Sequence, residues 1–335
     1  MKKLILAFLA LGTFGVLAET TQTVNIYSFR QSFLIDPILE KFTVETGIQT
    51  KVVFAKKGLI ERLKREGKYS PADVVLTSDF NKLLQLKDEG LTSTIESSNI
   101  DKNVPAHFRD DQGQWIALTK RIRNIYASKT RVSNPQALTY ESLAAPEFKG
   151  KVCTRSGKHP YNLGLIASMI AHKGEAETQT WLQGVKANLA RKPQGNDRAQ
   201  VKAIKEGLCD VSLGNSYYYG KMLENAEQKP WADAVNIVYP NQNDRGSHVN
   251  VSGAVITKYA PNKSNALQLL TFLSSEKAQQ TYASVNMEYP VNPAVKPAEI
   301  MLSWGEFKED TLPLTKVAEY REAALKLVDK VKFDL

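Results

Sequence analysis

Apolar positions recur with two different periods between residues 24 and 90. Val24-Asn25-Ile26-Tyr27, Lys51-Val52-Val53-Phe54 and Ala72-Asp73-Val74-Val75-Leu76 are short runs that read as strands. A helical spacing follows each. Phe33, Leu34, Ile38, Leu39 and Phe42 stop at Gly47; Leu59, Ile60 and Leu63 stop at Gly67; Leu83, Leu84 and Leu86 stop at Gly90. This alternation predicts a parallel sheet with helices on its faces. Ligands of such sheets sit beyond the carboxyl ends of the strands, which here are Tyr27 to Arg30, Ala55 to Lys57 and Thr77 to Asp79.

The stretch from Thr92 to Gln114 reads as loop-rich. Trp115 to Leu118 and Asn124 to Ala127 read as two strands flanking the basic Lys120-Arg121-Ile122-Arg123. A second α/β block runs from about Lys151 to Tyr239. It has a strand at Cys153, a helix through Leu165, Ile166 and Met169, a helix through Val201 and Ile204 to Gly207, and a strand over Asp210 to Leu213. Val249 to Ile256 is strand-like again, and the tail is helical over Ala266–Leu273, Lys277–Ala283 and Val317–Val331. Two α/β blocks predict two lobes with a ligand cleft between them. The predicted lobes are residues 19–120 plus 246–298 and residues 121–245 plus 299–335, with crossings near Lys120 and Arg245.

Composition changes little, with 42% hydrophobic and 24% charged residues being ordinary for a globular chain of this kind. The start changes more. A short basic opening, an apolar run to Leu17 and the small Ala18 predict a secretory signal peptide over residues 1–18, cleaved after about Ala18. The run is shorter than the ~20 residues of a spanning helix, and no Cys follows it for a lipid anchor. The chain is therefore expected in the periplasm. In that oxidising compartment Cys153 and Cys209 suggest one disulfide, the alternative being two separate buried thiols. A formal charge of +9 fits either a solvated basic surface or a cleft that attracts an anionic ligand or metal chelate. Export, and the lack of any RNP, zinc-finger or arginine-rich pattern, argue against nucleic acid.

The candidate chemistry lies in Asn215-Ser216-Tyr217-Tyr218-Tyr219-Gly220. A strand would send neighbouring rings to opposite faces, and a helix would splay them by about 100°. At a strand-to-helix junction, with Asn215 or Ser216 as N-cap, Tyr217 and Tyr218 can aim their hydroxyls together. Tyr161 has a matching place, since Pro160 suits an early helix position. A phenol titrates near 10 and is a poor base, but a strongly charged cation stabilises the phenolate. Three phenolates neutralise a trivalent ion, so ferric iron is the natural candidate. Zinc would need Cys or His at tetrahedral spacing and calcium a carboxylate loop, and neither pattern is present. Ordinary packing, or a surface for stacking sugars, also accounts for the run.

Read together, Ile26 to Arg30, "ADVVLTSD", "GKVCTRS", "CDVSLGNSYYYG", "HVNVSG" and "MEYPVNP" resemble the periplasmic ferric-iron-binding proteins of ABC importers. The resemblance spans nearly all of the chain after the signal. It implies an α/β, two-lobed, type II periplasmic-binding-protein fold, each lobe a mostly parallel sheet flanked by helices. It implies a monomer that captures Fe³⁺ and delivers it to an inner-membrane ABC permease. It implies Tyr161, Tyr217 and Tyr218 as metal ligands, with Tyr219 in packing. Gln31 and Ser78 stand where some members carry a His or Glu ligand, which implies the three-tyrosine variant completed by carbonate, another small anion or water. Candidate anion contacts are Ser156, Gly157, Asn215, Arg155 and Arg121, with Arg30 a weaker one. His159 is expected to be exposed. The resemblance also supports the Cys153–Cys209 pairing. A same-fold receptor for a polyamine, thiamine or an oxyanion is the first rival. An exported hydrolase is the second, although no Gly-x-Ser-x-Gly, HExxH or paired-carboxylate motif is present.

Overall fold

The strand–helix alternation at the start folds as β1 (Thr23–Ser28), α1 (Ser32–Thr46), β2 (Gln49–Phe54), α2 (Leu59–Glu66), β3 (Val74–Thr77) and α3 (Phe80–Asp88). These belong to a computed structural model that describes residues 22–335; the expected signal peptide, residues 1–18, lies outside the described residues. Strand β1 pairs in parallel with both β2 and β3. Helix α1 buries Ile35, Ile38, Leu39 and Phe42, and left-handed Gly47 ends it.

The stretch 92–114, expected to be loop, contains β4 (Thr92–Ser93) and α4 (Ser98–Asn103). Helix α4 has one buried apolar residue, Ile100, and an N-cap at Ser97, too short a pattern to show a period. The two strands expected around the basic run are one strand, β5 (Ile116–Ser128). Arg121 and Arg123 are buried within it because carboxylates from distant segments meet them.

The second block comprises β6 (Val152–Cys153), α5 (Pro160–Ala187, interrupted at Gly174), α6 (Asp197–Lys205), β7 (Val211–Asn215), α7 (Ser216–Leu223), α8 (Lys229–Ala232) and β8 (Val235–Val238). The chain then runs through β9 (Val249–Thr257), α9 (Lys263–Ser274), α10 (Glu276–Asn286), β10 (Tyr289–Pro290) and α11 (Glu299–Leu302). The last expected helix is two, α12 (Leu314–Glu319) and α13 (Arg321–Lys330), broken at Tyr320. Strand order is β2-β1-β3-β9-β5-β7-β6. The long β5 and β9 run antiparallel to each other and to their neighbours β7 and β3, and β6 joins β7 in parallel. The fold is α/β as expected, but the curled sheet is mixed rather than mostly parallel: β1 with β2, β1 with β3 and β6 with β7 pair in parallel, while the long β5 and β9 run against every strand they pair with.

Three buried apolar clusters fill it. One lies around β1, β3 and β9, one around α5 and α13, and one around Cys153, Tyr126 and Tyr239. Met287 and Tyr289 pack in the third cluster, although the sequence boundary at residue 298 puts them with the first lobe. Cys153 and Cys209 form a disulfide, Cα atoms 5.9 Å apart across a separation of 56 residues. It fastens β6 beside the entry to β7. Loop closure of that length limits the unfolded chain by about 4 kcal/mol. Cys153→Ser with Cys209→Ser should lower the urea midpoint accordingly, and an unmoved midpoint would remove the crosslink from the stability account.

Candidate metal centre

The two tyrosine-bearing turns are built at helix starts. Helix α5 begins at Pro160, and the Nδ1 of its N-cap His159 accepts a hydrogen bond from the Tyr161 amide at 3.2 Å. An imidazole that accepts at Nδ1 is not doubly protonated there, and burial with Arg155 nearby pushes His159 down to about 4. Helix α7 follows β7 directly. A Cβ on Gly214 would lie 2.1 Å from the Tyr126 ring, so only glycine lets β7 rest there. The Tyr126 hydroxyl then donates to the Asn215 carbonyl at 2.7 Å and fixes the turn.

Tyr217 and Tyr218 stand side by side, ring centroids 4.1 Å apart, and Tyr161 joins them. Burial pushes the Tyr217 phenol well above its usual value, and Tyr161 and Tyr218 push it further. Tyr218 is raised by burial and then by Tyr161 and Asp197. Phenols this close disfavour each other's ionisation. Tyr219 points away and packs against Tyr126 and Trp304, at 6.2 and 5.4 Å between ring centroids.

A buried ion network holds the two turns together. Arg123 donates to Asp197 Oδ2 at 2.7 Å, to Asn162 Oδ1 at 2.6 Å and to Asn215 Oδ1 at 3.0 Å. Asn162 follows Tyr161, and Asn215 precedes the tyrosine pair. Asp197 also accepts from the Asn215 amide at 3.0 Å and from Arg155 at 3.2 Å. Sequence reasoning missed Arg123, Asn162 and Asp197. The one available signal was the basic run itself, whose arginines had no reason to sit in a strand unless paired.

Two further arginines, Arg121 in β5 and Arg30 just after β1, also approach the tyrosines. Arg121 lies 5.8 Å from the Tyr161 ring centroid and donates to the Ser78 carbonyl at 2.5 Å. Arg30 is fully buried; burial works against its charge, and Glu288, Tyr282 and Tyr217 outweigh it. Burial alone would raise the Glu288 carboxyl, yet Arg30 and Arg121 hold it below the usual carboxylate range. Gln31 is exposed and Ser78 half-buried.

Of the anion candidates, Arg155 lies 5.4 Å from the Tyr161 ring centroid. Asn215 keeps a buried Nδ2 without a partner. Ser156 and Gly157 are already engaged. The Ser156 hydroxyl and the Gly157 amide donate to Asp334 at 2.6 and 2.8 Å, so an internal carboxylate holds the donors expected for a free anion. His159, expected to be exposed, is half-buried and packs edge-on against Tyr161 at 4.6 Å, because capping α5 draws its ring inward. A cavity of about 410 Å³ opens beside Pro160, lined by Asp79, Lys82, Glu89 and Arg321 among others.

Among the described residues no group of three or more His, Cys, Asp or Glu side chains could hold a metal. Phenol oxygens are the donors gathered here, with guanidinium groups around them. Such a set suits a hard, highly charged cation that can displace phenol protons, accompanied by an anion.

Residues 69–307 match the family model described as bacterial extracellular solute-binding protein. The chain is 41% identical over 312 residues to Iron uptake protein A1 of Synechocystis sp., covering 92% of this chain and 87% of that protein. Apo ferric ion-binding protein A of Pasteurella haemolytica superposes with a TM-score of 0.89 at 53% identity, over 94% of this chain and 99% of that one. Trichodesmium IdiA (FutA), solved in complex with iron and citrate, superposes with a TM-score of 0.88 at 37% identity, over 93% and 99%. These similar proteins are solute-binding proteins, not enzymes.

Proposed function

The chain belongs to the bacterial extracellular solute-binding protein family, and from that membership we propose that it binds ferric iron in the periplasm for import. Tyr161, Tyr217 and Tyr218 are the ligands in this reading, their phenolates neutralising the trivalent ion. Arg121, Arg155 and Asn215, with Arg30 behind them, hold a small anion such as carbonate that completes the coordination. The lobes, residues 19–120 plus 246–298 and 121–245 plus 299–335, close over the ion. The loaded monomer then passes it to an inner-membrane ABC permease.

The observation that carries this reading is the clustering of three phenols from two helix starts among arginines. The similar proteins named for iron support it. Adding ferric citrate to the purified apo protein should produce a visible phenolate-to-iron charge-transfer band. A protein that stays colourless at saturating ferric citrate would end the ferric reading.

The same titration has a pH dependence of known sign. Each phenol must lose a proton to bind, and burial already favours the protonated form. Acid therefore opposes binding. With three protons released, apparent affinity should fall by up to ~1000-fold per unit drop in pH. A band whose midpoint does not move between about pH 5 and about pH 8 would argue against phenolate ligands.

A further inference from the structure

Glu288 pairs with Arg30 and Arg121, two of the arginines near the tyrosines. Its Oε2 accepts from Arg30 Nη2 at 2.7 Å and from Thr119 Oγ1 at 3.0 Å. Its Oε1 lies 3.4 Å from Arg30 Nη1 and 3.8 Å from Arg121 Nη1. The backbone is committed to this placement. Met287 takes a left-handed φ of 55° and packs against Gly220 of α7, while the Tyr289 hydroxyl bonds that of Tyr239 at 2.7 Å. Left-handed backbone is costly for a side-chain-bearing residue. Well-packed apolar residues often stabilise a core as well as a buried ion pair does, so stability alone does not account for a charge here.

The charges offer another reason. Two guanidiniums share the Glu288 carboxylate. Arg123 and Arg155 share Asp197 in the same way. Arg198, 5.7 Å from the Tyr218 ring centroid, bonds the neutral Gln228 at 3.4 Å. Tyr282, whose ring centroid is 5.6 Å from the Arg30 guanidinium, adds no charge of its own, because burial raises its phenol above the usual value. Cations thus exceed carboxylates around the phenols, and Glu288 offsets part of that excess at Arg30 and Arg121.

Resting on the ferric reading, we propose that Glu288 is a positioning residue that limits the charge of the anion admitted beside the ion. It acts through Arg30 and Arg121, by fixing where they point and by cancelling part of their field. Repulsion between its carboxylate and a bound anion grows in proportion to the anion's charge. Glu288 therefore disfavours a trianion more than a dianion.

The test compares oxalate, a dianion, with citrate, a trianion at neutral pH. Ferric ion is titrated into parent protein and Glu288→Gln at fixed pH and ionic strength, and the half-saturating concentration of each anion is read from the visible band. Taking the oxalate-to-citrate ratio in each protein, and then comparing proteins, cancels each anion's own affinity for free ferric ion. The ratio should move toward citrate by about tenfold in Glu288→Gln. Arg30→Gln removes a cation instead and should move it toward oxalate; it also serves if Glu288→Gln does not fold. A lower melting temperature with an unmoved ratio in the folded variants would make Glu288 merely structural and overturn the proposal. A parent protein colourless with both anions overturns the ferric reading itself, a result distinct from an unmoved ratio.

Discussion

A protein carrying Tyr217→Phe together with Tyr218→Phe should remain colourless on addition of ferric citrate while the parent colours. The substitutions keep both rings and remove only the hydroxyls. The rings sit 4.1 Å apart on the first turn of α7, and that packing survives the change. The missing atoms are the proposed donors. Structural zinc sites contribute ~10–16 kcal/mol over four ligands, or about 3 kcal/mol per donor. Two lost donors on that scale weaken binding by about 10⁴-fold. Competition against citrate measures the loss, and the melting temperature of the apo protein checks that the fold is intact. Retained colour with an unchanged melting temperature would mean that the ion binds elsewhere. Tyr219→Phe is the matched control, since that ring packs against Tyr126 and Trp304 and should leave the band in place.

Arg123→Met should have the largest effect on stability, and it should also disturb the centre. Arg123 is 2% exposed at its side chain, and its partner Asp197 is wholly buried. Removing one member of such a pair leaves an uncompensated buried charge, at a cost of about 3–5 kcal/mol. Arg155 still reaches Asp197 and softens the loss. For a chain of this size that is a fall of roughly 6 °C in melting temperature. Because Arg123 also holds Asn162 and Asn215, the turns carrying Tyr161 and Tyr217 lose their common anchor. Iron affinity should drop even at temperatures where the variant is fully folded. Adding Asp197→Asn should recover part of the stability, by removing the stranded charge, but not the affinity. A single variant as stable as the parent would show that the network is not needed to hold the turns.

Legibility from sequence divides along one physical line. Elements made by local pattern were readable, such as α1 with its Gly47 stop and β7 running into α7. So were the places of Tyr161 and Tyr217, because proline at a helix start and a strand-to-helix junction are local signals. What escaped depended on distant partners. Arg121 and Arg123 looked like a polar break in the chain, since burial of a charge is legible only with its counter-charge in view. Asp197 lies 74 residues from Arg123, and nothing near either announces the other. Ser156 and Gly157 failed the same way. As donors at a loop before a helix they suited a free anion, but Asp334, 177 residues on from Gly157, already accepts from them. The reading of α4 was lost for a smaller reason, because one buried residue has no periodicity.

That last contact has a practical side. Leu335 is 74% exposed and directly follows Asp334, the residue hooked onto Ser156 and Gly157. A polyhistidine purification handle fused after Leu335 would begin one residue from that hook, near the turn that carries Tyr161. Its imidazoles would compete for ferric ion, and traction on the tail would loosen the start of α5. Iron held by such a handle would be taken up without the phenolate band, so binding assays of this protein call for a handle that has been cut away.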